Sequence, residues 1–286
     1  MSERVFILGA GQVGQGLLRA LRTAHVDVLG LHGRRPSPAA TSSGHLPATI
    51  SDANAVIIAV RDHQIDDALA EVVDATSPSG RRRLASGSVV LHTSGGAEPE
   101  LLSRLGELGI GGGTFHPLVP FANPERAPEL LRKGWIGIDG DDSARAASRR
   151  LAGHLGARTL EIPPGMKSIY HAAAVISSNF PVVLEAVASN LMTEIGIPAR
   201  SAEQAVHALV EGAISNTSGA SAEEVLTGPV VRGDVDTVHR HLQALRHHPE
   251  ARALYRRLSF AALEIASRRG TDPEKLAEIQ RLLLLR

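Results

Sequence analysis

The 286-residue sequence contains no cysteine. That excludes a disulfide, a thiolate metal site and a cysteine nucleophile, and it fits a reducing compartment. It also lacks net charge, because 30 Lys and Arg balance 30 Asp and Glu. With no charge excess, electrostatics gives no reason to expect nucleic acid or an anionic membrane surface as a partner. No apolar stretch is read as reaching membrane-spanning length, and the chain runs almost directly into an apolar strand at Val5. The expected compartment is therefore the cytoplasm. Lysine is scarce: Lys133, Lys167 and Lys275 stand among 27 arginines. A lysine kept in such a chain can mark a place that needs an amine able to lose its proton, which arginine cannot do. What is present in quantity is apolar residue, at 43%, with 21% charged. That is enough for one large core or two ordinary ones.

The stretch Val5-Phe6-Ile7-Leu8-Gly9-Ala10-Gly11-Gln12-Val13-Gly14 sets the organisation. A short apolar run, a glycine turn and a helical segment, Gln15 to Leu21, follow one another as a dinucleotide-binding βα unit requires. Gly9 permits the turn, Gly11 lets the backbone approach a pyrophosphate, and Gly14 lets the helix pack close to the strand. Gln12 and Val13 open the helix whose N–H groups would meet the phosphates. A second strand, Val26 to Leu31, leads into Arg34 and Arg35. An acid there would bind the ribose 2′-OH of NAD. Two guanidinium groups suit the 2′-phosphate of NADP instead, the other reading being a solvated pair.

Asn54 to Val60 is a continuous apolar run, as in a strand buried on both faces, and Val60 closes it on the cofactor side. Ile65 to Val73 has helical spacing, and Ser79 to Arg83 reads as a basic surface turn. Ser88 to His92 is a further strand, ending in Thr93-Ser94-Gly95-Gly96. Ser94 and Gly95 suit a cofactor ring or a substrate carboxylate, and a hydroxyl there would equally cap the helix Glu98 to Leu108. Two prolines mark Phe115-His116-Pro117-Leu118-Val119-Pro120-Phe121 as a stiff loop carrying a candidate substrate-binding residue, His116. Trp135 to Gly140 and Thr159 to Ile162 are strands around a helix, Ser143 to Leu155. Alternating strands and helices predict an α/β, doubly wound, mostly parallel sheet over residues 1–162. Beyond Pro163-Pro164-Gly165 the pattern is helical, and residues 163–286 form the expected all-α domain. Its helices are Met166 to Ile195, Ala202 to Ser215, Val235 to Leu245, Ala251 to Arg269 and Pro273 to Leu285.

Lys167 and His171 lie one turn apart on the first of these helices, with Ser178 three turns on and Asn179 at its flank. On that stripe Lys167 can protonate a carbonyl oxygen as hydride arrives, with His171 orienting substrate or relaying the proton. Ala172, Ala173, Val175 and Ile176 are expected to pack elsewhere. The alternative is a surface lysine and an interface histidine. Thr227 and Arg232, in the loop Leu226 to Asp234, suit a substrate carboxylate, or the loop is a helix connection with Asp234 as its cap. His239, His241, His247 and His248 lack the spacing of a zinc site, so no metal is expected.

Gly9-Ala10-Gly11-Gln12-Val13-Gly14, His92-Thr93-Ser94-Gly95, Phe115-His116-Pro117-Leu118, Tyr170-His171-Ala172-Ala173-Ala174 with Ser178-Asn179, and Leu226-Thr227-Gly228-Pro229 with Arg232-Gly233-Asp234 together carry a resemblance. The chain resembles the bacterial Rossmann-like oxidoreductases whose C-terminal domain has no assigned function. These are distant relatives of ketopantoate reductases, β-hydroxyacid dehydrogenases and pyrroline-carboxylate reductases. The resemblance implies a helical second domain like that of 6-phosphogluconate dehydrogenase, often dimeric. It places Lys167 on the relatives' catalytic lysine and puts His171 where they carry Asn. Ser94 falls near their substrate-binding hydroxyl. The implied activity is NADP-dependent reduction of a small 2-keto or related acid, with imine reduction and non-catalytic NADP binding as the rival readings.

Overall fold

In the computed structural model, residues 3–73 and 84–285 are described, so the turn expected at Ser79 to Arg83 lies outside the described residues. They form two compact units, residues 1–178 and 179–286.

The first unit opens with β1 (Arg4–Leu8), α1 (Gln12–Thr23), β2 (Asp27–Gly33), β3 (Ser42–Ser43), β4 (Ala55–Ile58), α2 (Ile65–Val73) and β5 (Val89–His92). It continues with β6 (Gly111–Pro117), α3 (Ala127–Lys133), β7 (Trp135–Gly140), α4 (Asp142–Leu155), β8 (Arg158–Glu161) and the first turns of α5 (Lys167–Glu194). The eight strands lie in the order β3-β2-β1-β4-β5-β6-β7-β8. All neighbours are parallel except β6 and β7. Strand order reverses beside β1, which in open α/β sheets is where ligands bind, at the carboxyl ends of the strands.

Both faces of the sheet are covered. In β1, Val5 and Ile7 join a core with Leu17 and Leu21 of α1, Leu131 of α3 and Leu151 of α4. Phe6 and Leu8 point the other way, to Ile50, Leu69 and Val72 of α2, and Leu102. A strand with both neighbouring residues buried reads as an unbroken apolar run, which is why β1 and β4 were legible.

Two expectations are corrected here. Phe115 to Pro117 is not loop: it is the last part of β6, an interior strand. His92 pairs with Thr114 at the end of β5, and beyond it β6 pairs only with β7. The Leu118 N–H donates to Trp135 O on the β7 side at 2.8 Å. Alternation along the strand then turns the nitrogen of Pro117 toward the side where β5 has ended, so its missing N–H breaks no ladder bond. The segment expected as a helix from Glu98 is a 3₁₀ run, Pro99–Leu108. Between β2 and β4 the chain adds the short edge strand β3.

The second unit holds the rest of α5, then α6 (Ala199–Ser215), α7 (Ala222–Val225), α8 (Val235–Ala244), α9 (Pro249–Arg268) and α10 (Pro273–Leu284). Its core joins Val238 and Leu242 of α8, Ala266 of α9, and Leu276, Ile279 and Leu283 of α10. In the loop Leu226 to Asp234, Gly233 takes a left-handed φ of 63° and Asp234 caps α8 by accepting from the Thr237 N–H at 3.0 Å. A third correction concerns α5. Its 28 residues include a window of mean hydropathy 1.4, which by length and composition alone reaches membrane-spanning size. The residues expected to pack away from the lysine stripe do not all pack: Ala172, Ala173 and Ile176 are exposed.

Candidate active site

The glycine turn after β1 makes three distinct demands. Gly9 has φ +114°, and a Cβ on it would lie 2.1 Å from Ala59 O. Val60 Cγ1 is the next side-chain neighbour of that position, at 3.2 Å. A Cβ on Gly14 would lie 1.8 Å from Gly9 O, so α1 starts in direct backbone contact with the turn. At Gly11 a Cβ would meet nothing within 4 Å. Gly11 is also the N-cap of α1, and no side chain caps the helix there; its first turn, Gln12 to Gly14, holds no acid. An open cradle at an uncapped helix N-terminus fits a phosphate-bearing ligand. Arg34 and Arg35 follow β2 directly and are exposed. Among the described residues the Arg34 guanidinium meets only Asp67, at 3.4 Å, with 63% of its side chain open. So exposed a pair holds the arginine weakly.

The ends of β5 and β6 and the start of α5 build a second cluster. β1, β4, β5 and β6 run parallel, so this cluster and the glycine turn lie on the same edge of the sheet. Lys167 is 0% exposed. Its Nζ donates to Thr114 Oγ1 at 2.7 Å and to Ser94 O at 3.1 Å. Thr114 Oγ1 in turn lies 3.1 Å from His92 Nε2. His92 is wholly buried, and its Nδ1 has no partner among the described residues. Burial, then the Lys167 charge, then His116 bring the His92 pKa from 6.5 down to about 3, so the ring stays neutral.

Tyr170 and His171 sit one turn beyond Lys167 on α5, on the same face. The Tyr170 hydroxyl is 2.8 Å from His116 Nδ1. The His116 ring meets Tyr170 edge-on at 5.6 Å and His171 edge-on at 5.8 Å. Burial is the first cause lowering the His116 pKa to about 4, followed by His171 and Lys167, while Asp62 opposes them. Burial also raises the Tyr170 hydroxyl above its ordinary value. Gly95 is where these rings find room: a Cβ there would be 2.4 Å from His171 Nδ1 and 2.9 Å from His116 Nε2. Ser94 holds its own loop, accepting at Oγ from the N–H groups of Gly96 and Ala97 at 3.2 and 3.0 Å.

Lys167, His171, Ser94, Gly95 and His116 are thus brought together. Ser178 is exposed at the end of the first unit. Asn179, Thr227 and Arg232 belong to the second, where each is exposed; Arg232 reaches Asp234 at 4.0 Å. Sequence reasoning assigned no role to His92, Thr114 or Tyr170. The i, i+3 spacing of Lys167 and Tyr170 was a signal for the last. The other two needed the pairing of β5 with β6.

Residues 135–262 match the family model described as Domain of unknown function (DUF2520). A comparison with curated proteins finds no match. Among solved structures, protein TM1727 from Thermotoga maritima is similar at 23% identity and a TM-score of 0.70, over 92% of this chain and 98% of that one. Plasmodium falciparum pyrroline carboxylate reductase with NADP bound is similar at 10% identity and a TM-score of 0.63, over 98% of each chain. The reductive aminase from Aspergillus terreus in complex with NADPH and ethyl-5-oxohexanoate is similar at 17% identity and a TM-score of 0.56, over 99% of this chain and 93% of that one. These likenesses establish the fold: a doubly wound, mostly parallel sheet followed by helices.

Proposed function

We propose that the protein is an NADP-dependent reductase of a small carbonyl or imine compound. One observation carries this reading: the phosphate cradle at Gly11 and the Lys167–Thr114–His116 cluster occupy the same carboxyl edge of one sheet. Gly9, Gly11, Gln12, Val13 and Gly14 hold the pyrophosphate, Val60 and Ser94 border the cofactor, and Arg34 and Arg35 receive the 2′-phosphate. NADPH supplies the hydride when bound. Lys167 is the source of the proton, with Thr114 accepting from its amine, and His116 and His171 stand where the substrate oxygen or nitrogen arrives. Ser178 of the first unit, and Asn179, Thr227 and Arg232 of the second, are the further candidates for substrate binding, Thr227 and Arg232 for a carboxylate. Residues 1–162 serve as the cofactor domain and 163–286 as the substrate and dimerisation domain of a cytoplasmic homodimer.

For the substrate, a small 2-keto or related acid follows from the carboxylate-binding assignments. An imine is the second reading, and the similar pyrroline carboxylate reductase and reductive aminase structures favour it. Thermal-shift titration with NADPH, followed by NADPH oxidation across keto acids and cyclic imines, tests both. Turnover of one class decides between them. Stabilisation by NADPH with no turnover on either panel leaves a binding protein. For the cofactor, Arg34→Ala should weaken NADPH by on the order of tenfold or more and leave NADH nearly unchanged. Equal losses remove the role of the arginine.

A further inference from the structure

His116 and Gly137 face each other directly across the β6–β7 pair. The missing side chain at 137 leaves a notch, and Tyr170 of α5 fills it: a Cβ on Gly137 would lie 2.1 Å from the Tyr170 hydroxyl oxygen and 2.7 Å from its Cζ. From that notch the hydroxyl reaches His116 Nδ1 at 2.8 Å. Among the described residues His116 is the one hydrogen-bonding partner of the Tyr170 hydroxyl. The Tyr170 hydroxyl can donate its proton to Nδ1, the protein acceptor it reaches among the described residues. With the phenol as donor in this pair, Nδ1 carries the lone pair and Nε2 carries the hydrogen. Nε2 has no hydrogen bond in the described structure and lies over Gly95, beside His171.

We propose that Tyr170, seated in the Gly137 notch, is a positioning residue that fixes His116 as the Nε2–H tautomer, so that the ring presents a donor to an incoming acceptor oxygen. The ligand class this selects is one with a carbonyl or carboxylate oxygen at that point. That last step rests on the reductase reading; the tautomer itself does not. A freely tautomerising imidazole would accept from a ligand N–H as readily as donate to an oxygen, and the phenol removes that option. The groups bearing on His116 are Tyr170 and His171 of α5, Lys167 one turn before them, and Asp62 after β4.

The test uses the full chain with ¹⁵N-labelled histidine at pH 7.5, without cofactor or substrate. The His116 signals are identified by their loss in His116→Gln. In the wild-type protein, Nε2 should show a pyrrole-type shift and Nδ1 a pyridine-type shift. In Tyr170→Phe both should move to intermediate, averaged values. Gly137→Ala, which keeps the phenol and denies it the notch, should move them the same way. A pyrrole-type Nδ1 in the wild-type spectrum overturns the proposal, and that spectrum needs no variant to fold. Unchanged shifts in a folded Tyr170→Phe overturn it too. Because no turnover is read, failure of the reductase reading leaves this result standing, and the reverse also holds.

Discussion

Gly11 and Gly14 sit three residues apart, yet substitution should harm them in different ways. Gly14→Ala puts a methyl group 1.8 Å from a backbone oxygen, and neither the turn nor α1 can yield without repacking. It should cost at least about 2 kcal/mol of stability, read from chemical denaturation. Gly11→Ala places its methyl group in open space and should melt near the wild-type temperature. The same variant should lose NADPH-dependent stabilisation, because the methyl group fills the cradle. Lys167 poses the opposite case. Its amine holds Thr114 and the Ser94 carbonyl together at the ends of two strands. Lys167→Ala should lower kcat by about 10² or more while NADPH still binds. Steady-state kinetics beside a binding titration checks this, and unchanged turnover removes the lysine from the chemistry.

At the scale of elements, β6 was the hardest to read. Its Gly111-Gly112-Gly113 start has little strand propensity, and its Pro117 end argues against an interior strand. Packing explains the glycines. A Cβ on Gly112 would press on Leu102 at 2.7 Å, and one on Gly113 would press on Ala144 at 2.7 Å, so both neighbouring layers close on a strand without side chains. The ends of β5 and β6 also carry an acid sensitivity. His92 has a pKa of 6.5 when unfolded and about 3 in the fold. Between those values the unfolded chain holds a proton that the folded chain lacks, so stability falls as pH falls through this window and is fully present above about 6.5. The slope from this one proton is about 1.4 kcal/mol per pH unit. His92→Gln should flatten the plot of unfolding free energy against pH by that amount between pH 4.5 and 6. Urea titrations at several pH values measure it, and parallel slopes for the two proteins refute it.

At the scale of the whole molecule, the helical unit leaves large apolar side chains open: Val182 at 67%, Ile195 at 78% and Leu209 at 69%. Scattered exposure of this kind is ordinary, but several such residues on one helical unit fit the proposed dimer. Leu209→Asp together with Val182→Asp should lower the association constant by at least about tenfold, read by sedimentation velocity over a dilution series. A monomer at every concentration of the wild-type protein ends the dimer proposal. The apolar window of α5 belongs to this scale as well, since only 6% of it is buried.

The order of elements was written in local pattern. Unbroken apolar runs announced β1, β4 and β5, helical spacing announced α2, α5, α6, α8, α9 and α10, and the three glycines announced the turn after β1. Those signals survive without tertiary context because they come from neighbours in sequence. Tertiary structure alone decided that a proline-flanked glycine run becomes an interior strand. It also decided that His92 and Thr114 stand side by side below Lys167, and that Tyr170 enters a gap opposite His116. These depend on register between strands distant in the chain and on side chains that are missing at Gly95 and Gly137. No window of sequence holds both halves of such a contact.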